Sequence, residues 1–298
     1  MAYEQIKQRL RAGHVVILDG ATGTELQRRG VGMDPTAWCA THGAEAQATL
    51  TAIHKDYIEA GADVITANTF ASSRMILKRA GFEDRFDDIN RRAVDAALEA
   101  AQGTAAAVGG SLSHMIPRRD LHGETSPAEI AENYLELAQL LKLAGCEVIL
   151  LEMMFAPERM AFAFEAAGST GLPVWAGFSA RRGSDGQVLS FARDRDIRFA
   201  DIARLLEQYP VDVAGIMHSE SEVTGDALSE IRRVYAGPLS AYPDSGHMKM
   251  PDWQFEEIIP PQDLLKFAQG WQTDGTQVFG GCCGLGPDHI RTLSSLRS

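Results

Sequence analysis

Cysteine is scarce in this chain of 298 residues, which contains four. Four are too few for the disulfide framework of a secreted scaffold, and in a reducing compartment they remain thiols. The sequence also lacks any run of about 18 apolar residues that could span a bilayer. The polar segment at its start lacks the apolar core of a secretory signal. We therefore expect a cytoplasmic protein with no membrane partner.

Clusters of basic residues are lacking as well. The 28 Lys and Arg residues are outnumbered by 40 Asp and Glu residues, which gives a formal net charge of −12. An acidic chain without a Lys/Arg-rich run is a poor ligand for phosphates, so nucleic acid and anionic lipid are not expected as partners. The contents of 45% hydrophobic and 23% charged residues are those of an ordinary globular protein.

Short apolar runs rich in Val and Ile alternate with longer amphipathic segments, a pattern typical of βα repeats around a parallel sheet. The eight candidate strands occupy residues 14–20, 62–68, 105–111, 146–152, 172–178, 211–217, 237–242 and 276–281. Eight repeats in a chain of this length predict an α/β protein built as a single (β/α)8 TIM barrel, with a doubly wound open sheet as the alternative. No linker or low-complexity segment divides the chain, so we predict one domain over 1–298.

In a TIM barrel, the carboxyl ends of the strands and the loops after them build the active site. Reactive or ligand-type side chains gather at these predicted strand ends: Asp19-Gly20, Asn68-Thr69-Phe70, Glu152, His218, Tyr242 and Cys282-Cys283. The longest irregular segment, 243–261, follows the seventh strand, and we expect it to shape or cover the site.

Cys282 and Cys283 are the strongest local signal. Side chains of neighbouring residues on a strand point to opposite faces, so both thiols reach one point only if the backbone turns sharply. Flanking glycines at 280, 281 and 284 allow such a turn. A glycine-rich turn with two incidental small residues, or a disulfide between the two cysteines, is the alternative.

His218 closes another predicted strand and adds a third ligand type. One imidazole and two thiolates suit zinc and leave the fourth tetrahedral position open. A lone His after a strand is more often a core or hydrogen-bonding residue. An open zinc position can bind water for hydrolysis or a substrate thiol for transfer, and zinc deprotonates a bound thiol outright.

Several segments resemble the homocysteine S-methyltransferase family, which includes betaine-dependent and S-methylmethionine-dependent enzymes. They are LDGATGTELQRRG at 18–30, DPTAWCA at 34–40, ITANTF at 65–70, LLEMM at 150–154 and GGCCGLGPDHI at 280–290. The resemblance covers the whole chain. It implies a TIM barrel in which Cys282 and Cys283 are two of three zinc ligands and the homocysteine sulfur takes the open position.

The chain departs from the family at two positions. The third family ligand is a cysteine in a Gly-x-Asn-Cys motif, and this chain has Gly215-Ile216-Met217-His218 instead. Met153 stands where family enzymes usually carry Thr or Tyr. A His/Cys/Cys set still suits zinc but has one negative charge fewer, which predicts a less nucleophilic substrate sulfur. That favours a reactive sulfonium donor, S-methylmethionine or S-adenosylmethionine, over betaine, or a different thiol acceptor.

The resemblance also implies substrate contacts. Asp19 and Glu152 match the carboxylates that hold the amino-acid part of homocysteine together with nearby backbone NH groups, so we assign them catalytic and substrate-binding roles. A turn residue and a structural ion pair are the respective alternatives. We further assign Gly20 and Asn68 to the substrate site. The aromatic candidates for holding a positive methyl centre, each of which can equally be core, are Trp38, Phe70, Phe178, Tyr242 and Trp253.

The sequence therefore predicts a zinc-dependent S-methyltransferase that moves a methyl group from an onium donor to a thiol, with homocysteine giving methionine. Its partners would be these small molecules, and a homo-oligomer stays open. A zinc hydrolase or lyase and a non-catalytic ligand-binding barrel rank lower, because hydrolase barrels offer more His and carboxylate ligands and do not need adjacent thiolates.

Overall fold

The computed structural model describes residues 2–41, 44–114 and 125–297. Its strands, numbered along the chain, are β1 (Val16–Ile17), β2 (Val64–Ala67), β3 (Ala107–Ser113), β4 (Val148–Met154), β5 (Val174–Phe178), β6 (Ala180–Arg182), β7 (Val188–Ser190), β8 (Val213–Met217), β9 (Leu239–Tyr242), β10 (His247–Lys249), β11 (Asp252–Gln254) and β12 (Thr276–Phe279). Its helices are α1 (Ala2–Arg11), α2 (Thr22–Arg28), α3 (Ala44–Ala60), α4 (Arg74–Ala80), α5 (Phe86–Ala101), α6 (Pro127–Ala144), α7 (Pro157–Ser169), α8 (Phe199–Ala203), α9 (Ser221–Arg232), α10 (Pro261–Thr273) and α11 (Pro287–Leu293).

Eight parallel strands form one sheet in the order β1-β12-β9-β8-β5-β4-β3-β2. A parallel bridge between Leu18 and Val64 joins its two ends, and the amide of Asp19 donates to the carbonyl of Val64 at 3.0 Å. Each barrel strand lies within its predicted segment or extends it by two residues. The predicted TIM barrel is confirmed, and the open-sheet alternative is wrong.

Alternation along the strands produces two layers of core. Inward-facing residues such as Val148, Leu150 and Val278 fill the barrel, while their neighbours pack against the helices. Helix α1 closes the amino-terminal end, because Tyr3, one of its residues, joins the interior cluster. The Tyr3 hydroxyl also accepts from the indole of Trp175 at 2.7 Å. The carboxyl-terminal rim is thus left as the open end of the barrel.

The segment after β9 is more ordered than predicted. Residues 243–260, here called the strap, contain the antiparallel hairpin β10–β11, so the expectation of an irregular loop is wrong in part. Trp253 anchors it: its backbone NH and C=O bond to the side chain of Gln27 at 2.8 and 2.9 Å, and its indole donates to the carbonyl of Ser245 at 3.0 Å. The strap lies over the barrel mouth.

No helix in the described ranges combines the length and apolar character needed to cross a membrane.

Candidate active site

A cavity of about 210 Å³ opens at the carboxyl-terminal rim beneath the strap. Eleven of the twelve residues that the sequence indicated as metal, catalytic or binding candidates line it, and most of them lie at six different strand ends: Asp19, Gly20, Trp38, Asn68, Phe70, Glu152, His218, Tyr242, Trp253, Cys282 and Cys283. The fold therefore brings the predicted set together, with the exception of Phe178. The roles of the individual residues remain predictions.

Cys282, Cys283 and His218 form the one cluster of metal-ligand type within the described residues. Their ligand atoms all lie within 4.8 Å of one another, and both thiols are free. The turn that the glycines were predicted to allow is present: Gly284 has φ +83°, and a Cβ there would overlap the carbonyl of Ser245. This turn presents two adjacent thiols to one point.

Backbone strain is concentrated around the cavity. Four non-glycine residues in the described ranges have positive φ, and three of them line the cavity: Trp38 (51°), Met153 (55°) and His218 (42°). Such conformations cost free energy and persist where the surrounding structure over-determines them, typically at functional sites. Two of these positions, 153 and 218, are the places where the chain departs from the family pattern.

Asp244 is a site residue that sequence reasoning missed. Its Oδ2 lies 3.8 Å from Nδ1 of His218, and the rings of Phe191 and Trp253 flank the same imidazole at centroid distances of 5.3 and 6.0 Å. Burial lowers the pKa of His218, but the charges of Asp244 and Cys282 outweigh it and raise the pKa to about 9. The imidazole is therefore held in an anionic corner of the site.

The pKa values of the two adjacent thiols are shifted in opposite directions. A hydrogen bond from Cys283, followed by one with His218, lowers the pKa of Cys282 to about 6 although burial opposes the shift. The same hydrogen bond, together with burial, raises the pKa of Cys283 well above its usual range. The surroundings of Cys282 thus favour its thiolate, the form that binds a metal, whereas His218 binds a metal only after it loses its proton.

Two carboxylates also line the cavity, and both are nearly inaccessible to solvent. Asp19 is 2% exposed and accepts from the backbone NH and the hydroxyl of Thr66 at 2.6 and 2.8 Å; Glu152 is 8% exposed and accepts from Ser111. Burial raises the pKa of Asp19 to about 7 and that of Glu152 to about 8. Within the described chain neither carboxylate forms a salt bridge, although the charge of His218 lowers the pKa of Glu152, so a structural ion pair does not explain Glu152. A bound cation would offset this cost.

Asn68 and Trp38 form one wall of the cavity. The thiol of Cys39 donates to Oδ1 of Asn68 at 3.1 Å, and Nδ2 of Asn68 donates back to the carbonyl of Cys39 at 2.8 Å. This pair fixes the loop that carries Trp38, whose ring meets Phe70 edge-on at 6.4 Å. Much of the hydrogen-bonding capacity of Asn68 is thus used to brace the wall.

Gly20 and Tyr242 define the depth of the cavity. A side chain at Gly20 would overlap the carbonyl of Leu285 and approach Tyr57 to 2.9 Å, so only glycine fits there. The Tyr242 hydroxyl lies directly over Gly177, deep in the barrel. Its pKa is raised well above the usual range by burial and then by Glu152, which keeps the phenol neutral.

Phe178 lies elsewhere. It is fully buried in the outer core beside Phe164 and Phe199, so of its two interpretations core packing is the correct one. The cavity also has lining residues that the sequence analysis did not name as site residues: Thr66, Ser111, Met217, Met248 and Met250. Thr66 and Ser111 are polar residues inside predicted apolar strands, and that signal was available in the sequence.

Comparison with known proteins agrees with this geometry. The family model described as Homocysteine S-methyltransferase matches residues 16–296. Selenocysteine Se-methyltransferase of Brassica oleracea var. italica is 24% identical over 94% of this chain and 88% of its own length. Homocysteine S-methyltransferase 2 of Arabidopsis thaliana is 24% identical over 95% and 93%.

The fold is also that of a solved relative. The metallated form of the homocysteine methyltransferase MmuM from Escherichia coli superposes with a TM-score of 0.70 and 20% identity, covering 95% of this chain and 96% of that one. The match of the family model over almost the whole chain decides the identity. The chain belongs to the homocysteine S-methyltransferase family and is a thiol S-methyltransferase.

Proposed function

We propose that this enzyme is zinc-dependent and transfers a methyl group from a sulfonium donor to homocysteine, giving methionine, with residues 1–298 forming one catalytic barrel. One observation carries the proposal. Three zinc-type ligands and two buried carboxylates without ion-pair partners in the described chain line the same cavity of about 210 Å³. An amino-acid thiol is a ligand that satisfies both groups at once.

The donor set fits zinc. In a tetrahedral site with Zn–S of about 2.3 Å and Zn–N of about 2.0 Å, sulfur and nitrogen ligands lie about 3.5 Å apart. The Sγ of Cys282 and Nδ1 of His218 are 3.5 Å apart. The MmuM relative has been solved in a metallated form, which supports a metal here. When bound, zinc would supply an acidic coordination position that ionises the substrate thiol.

Asp19 and Glu152 would bind the substrate ammonium. Each is buried among polar partners that leave at least one oxygen lone pair free, and together they place two acceptors in the same cavity as the metal ligands. A charge-assisted contact with an ammonium would favour the ionised carboxylates and offset their desolvation. The acceptor would therefore be fixed at both ends, with its sulfur near Cys282 and Cys283 and its ammonium near the carboxylates.

The donor would approach from the side of Trp253 and Phe191. These rings and the carboxylate of Asp244 surround His218 and can stabilise a positive methyl centre. In the transfer, a carbon–sulfur bond forms between the methyl group and the acceptor. The donor carbon–sulfur bond breaks, and its electron pair neutralises the sulfonium. The acceptor proton has already left when the thiol ionises.

A selenol acceptor is a second candidate, because two of the relatives are named as selenocysteine methyltransferases. A selenol-bearing amino acid would make the same ammonium contacts. A zinc hydrolase is less well supported, since the cavity wall includes Met153, Met217 and Trp38 and offers no further His ligand among the described residues. Thiolate ligands also need reducing conditions, which supports a cytoplasmic location.

Metal content and methyl transfer test the proposal together. The purified enzyme should contain about one zinc per chain. It should methylate homocysteine with S-methylmethionine or S-adenosylmethionine, faster than with betaine and faster than it methylates thiols without an ammonium group. A zinc-free protein that retains full activity would refute the zinc step. Equal rates with all thiols would refute homocysteine as the acceptor.

A further inference from the structure

A second, larger chamber adjoins the cavity on its outer side. It has a volume of about 1190 Å³ and shares four wall residues with the inner cavity: His218, Met248, Met250 and Trp253. The two spaces therefore meet at the imidazole. A ligand in the outer chamber can reach a thiol held at the metal ligands without occupying the acceptor cavity.

Arg193 is the distinctive side chain of this chamber. Its guanidinium lies 5.0 Å from the ring centroid of Phe191, which in turn lies 5.3 Å from that of His218. Arg193 has no carboxylate partner in the described part of the chain, whereas its neighbour Arg181 is paired with Asp196 at 2.5 Å. An exposed arginine stacked on an aromatic ring leaves its edge free for a carboxylate.

Two other arginines, Arg79 and Arg181, also line the chamber, but both interact with other residues, and the remaining charged side chains of the wall are acidic. Asp244 lies at the His218 end, and Glu220, Glu222 and Glu257 line the wall without ion pairs to described residues. A molecule that complements this arrangement carries one carboxylate, for Arg193, and two positive centres, for the acidic side chains. Its positive methyl centre must also be separated from its carboxylate by a chain long enough to pass Phe191.

We propose that Arg193 is a specificity-determining residue of this enzyme, which binds the carboxylate of an amino-acid sulfonium donor in the outer chamber. This inference rests on the proposed transfer from a sulfonium. The sulfonium lies between Asp244, Trp253 and Phe191, the carboxylate pairs with Arg193, and the ammonium faces the glutamates. Betaine fits poorly, because its carboxylate is too close to its methyl centre to reach Arg193 from the His218 end.

Matched donors and variants test the role of Arg193. The donors are S-methylmethionine, its carboxamide, S-adenosylmethionine and betaine, and the variants are Arg193→Gln, Arg193→Lys and the control Arg195→Gln. Arg195 is two positions away, pairs with Glu158 and is not a chamber residue. We expect Arg193→Gln to raise KM for S-methylmethionine about tenfold to hundredfold, with Lys restoring part of the loss. KM for the carboxamide, KM for the thiol and the zinc content should stay within about twofold.

S-adenosylmethionine and S-methylmethionine are both sulfonium amino acids, and a comparison of the two shows which of them the chamber accepts as donor. If the adenosyl group is accommodated, Arg193→Gln should raise KM for both sulfonium amino acids; if it is excluded, S-methylmethionine alone is a donor. Equal changes for S-methylmethionine and its carboxamide, or no change for either, would overturn the assignment of Arg193.

Calorimetric titration of the thiol-free, zinc-loaded enzyme gives a readout that does not depend on turnover. S-methylmethionine should bind to the parent and bind more weakly to Arg193→Gln. If the parent does not bind it but transfers methyl from sulfonium compounds without a carboxylate, this inference fails and the proposed function stands. If the parent transfers methyl from no sulfonium, both fail.

Discussion

The Sγ of Cys282 lies 3.5 Å from Nδ1 of His218, although 64 residues separate them in the chain. The two residues follow β12 and β8, which both neighbour β9 in the barrel. Strand order, and not a local motif, therefore assembles this pair. A site built in this way should tolerate exchange of one ligand type for another, provided that the backbone at each strand end is kept.

Replacing the ligands should remove the metal and leave the barrel folded. We expect the Cys282→Ala, Cys283→Ala double variant to retain almost no zinc, because one imidazole cannot hold the ion alone. His218→Cys should keep about one zinc per chain, since a thiolate at that strand end completes a three-thiolate site. Metal analysis after gel filtration, with circular dichroism for the fold, measures both.

Cys146→Ala is the matched control, because Cys146 is a free thiol buried in the outer core. It should keep its zinc. Full zinc retention in the double variant would show that these cysteines are not the ligands.

The two buried carboxylates should act on one part of the acceptor only. Asp19→Asn and Glu152→Gln keep the shape of the side chain and remove its charge. Loss of a charge-assisted hydrogen bond costs about 1.5–3 kcal/mol, so KM for homocysteine should rise about tenfold to hundredfold. KM for a thiol without an ammonium group should change little. Steady-state kinetics with both thiols provides the comparison.

Glu165→Gln serves as the control for removal of a carboxylate, since Glu165 accepts from Tyr209 at the surface. It should leave both constants unchanged. If Asp19→Asn impairs both thiols equally, Asp19 organises the strand end through Thr66 and does not bind substrate.

The strands of the barrel could be predicted from the sequence, because each is a short run rich in β-branched residues between two helices. Which side chains of a strand point into the barrel could not be predicted from the sequence of that strand alone. In β5, Trp175 belongs to the barrel interior, so Phe178, three positions on, belongs to the outer core. The sequence gives the alternation but not which of the two faces points inward, and that is why Phe178 stayed among the aromatic candidates.

Contacts made by loop residues and by the first helix could not be predicted from the sequence either. The polar pattern of α1 does not reveal that Tyr3 reaches Trp175 and Asp212 under the barrel. Asp244 lies in the strap, where no strand register predicts its approach to His218. Strand ends place residues at one rim, whereas loop residues are placed by tertiary packing, which a local pattern does not encode.

His54 predicts a dependence of stability on pH. It is fully buried in α3, neither ring nitrogen has a hydrogen-bond partner among the described residues, and burial lowers its pKa from 6.5 to about 3. Between these values the unfolded chain binds a proton that the folded chain does not, so stability falls as the pH falls. At about pH 5 this costs about 2 kcal/mol relative to neutral pH.

His54→Leu should remove that share of the acid sensitivity. Urea unfolding at about pH 7.5 and about pH 5, with chelator present throughout, should show a smaller stability difference in the variant by about 2 kcal/mol. Thr51→Val is the control, because Thr51 is buried one turn away on α3 and has no proton to gain. Its pH dependence should match that of the parent. An unchanged pH dependence in His54→Leu would mean that the pKa of His54 is the same in the folded and unfolded chains.

Gly177 should control the depth of the acceptor cavity through Tyr242. A Cβ at Gly177 would overlap the Tyr242 hydroxyl and approach Met217 to 2.8 Å. The surrounding barrel is packed, so the phenol of Gly177→Ala must shift toward the cavity of about 210 Å³. We expect KM for homocysteine to rise at least about tenfold while zinc content is kept.

The double variant Gly177→Ala, Tyr242→Phe removes the overlapping oxygen and should recover most of the loss. Tyr242→Phe alone should change KM for the donor by less than about twofold, because the ring is retained. No recovery in the double variant would show that the methyl group at position 177 acts on the strand itself and not through Tyr242.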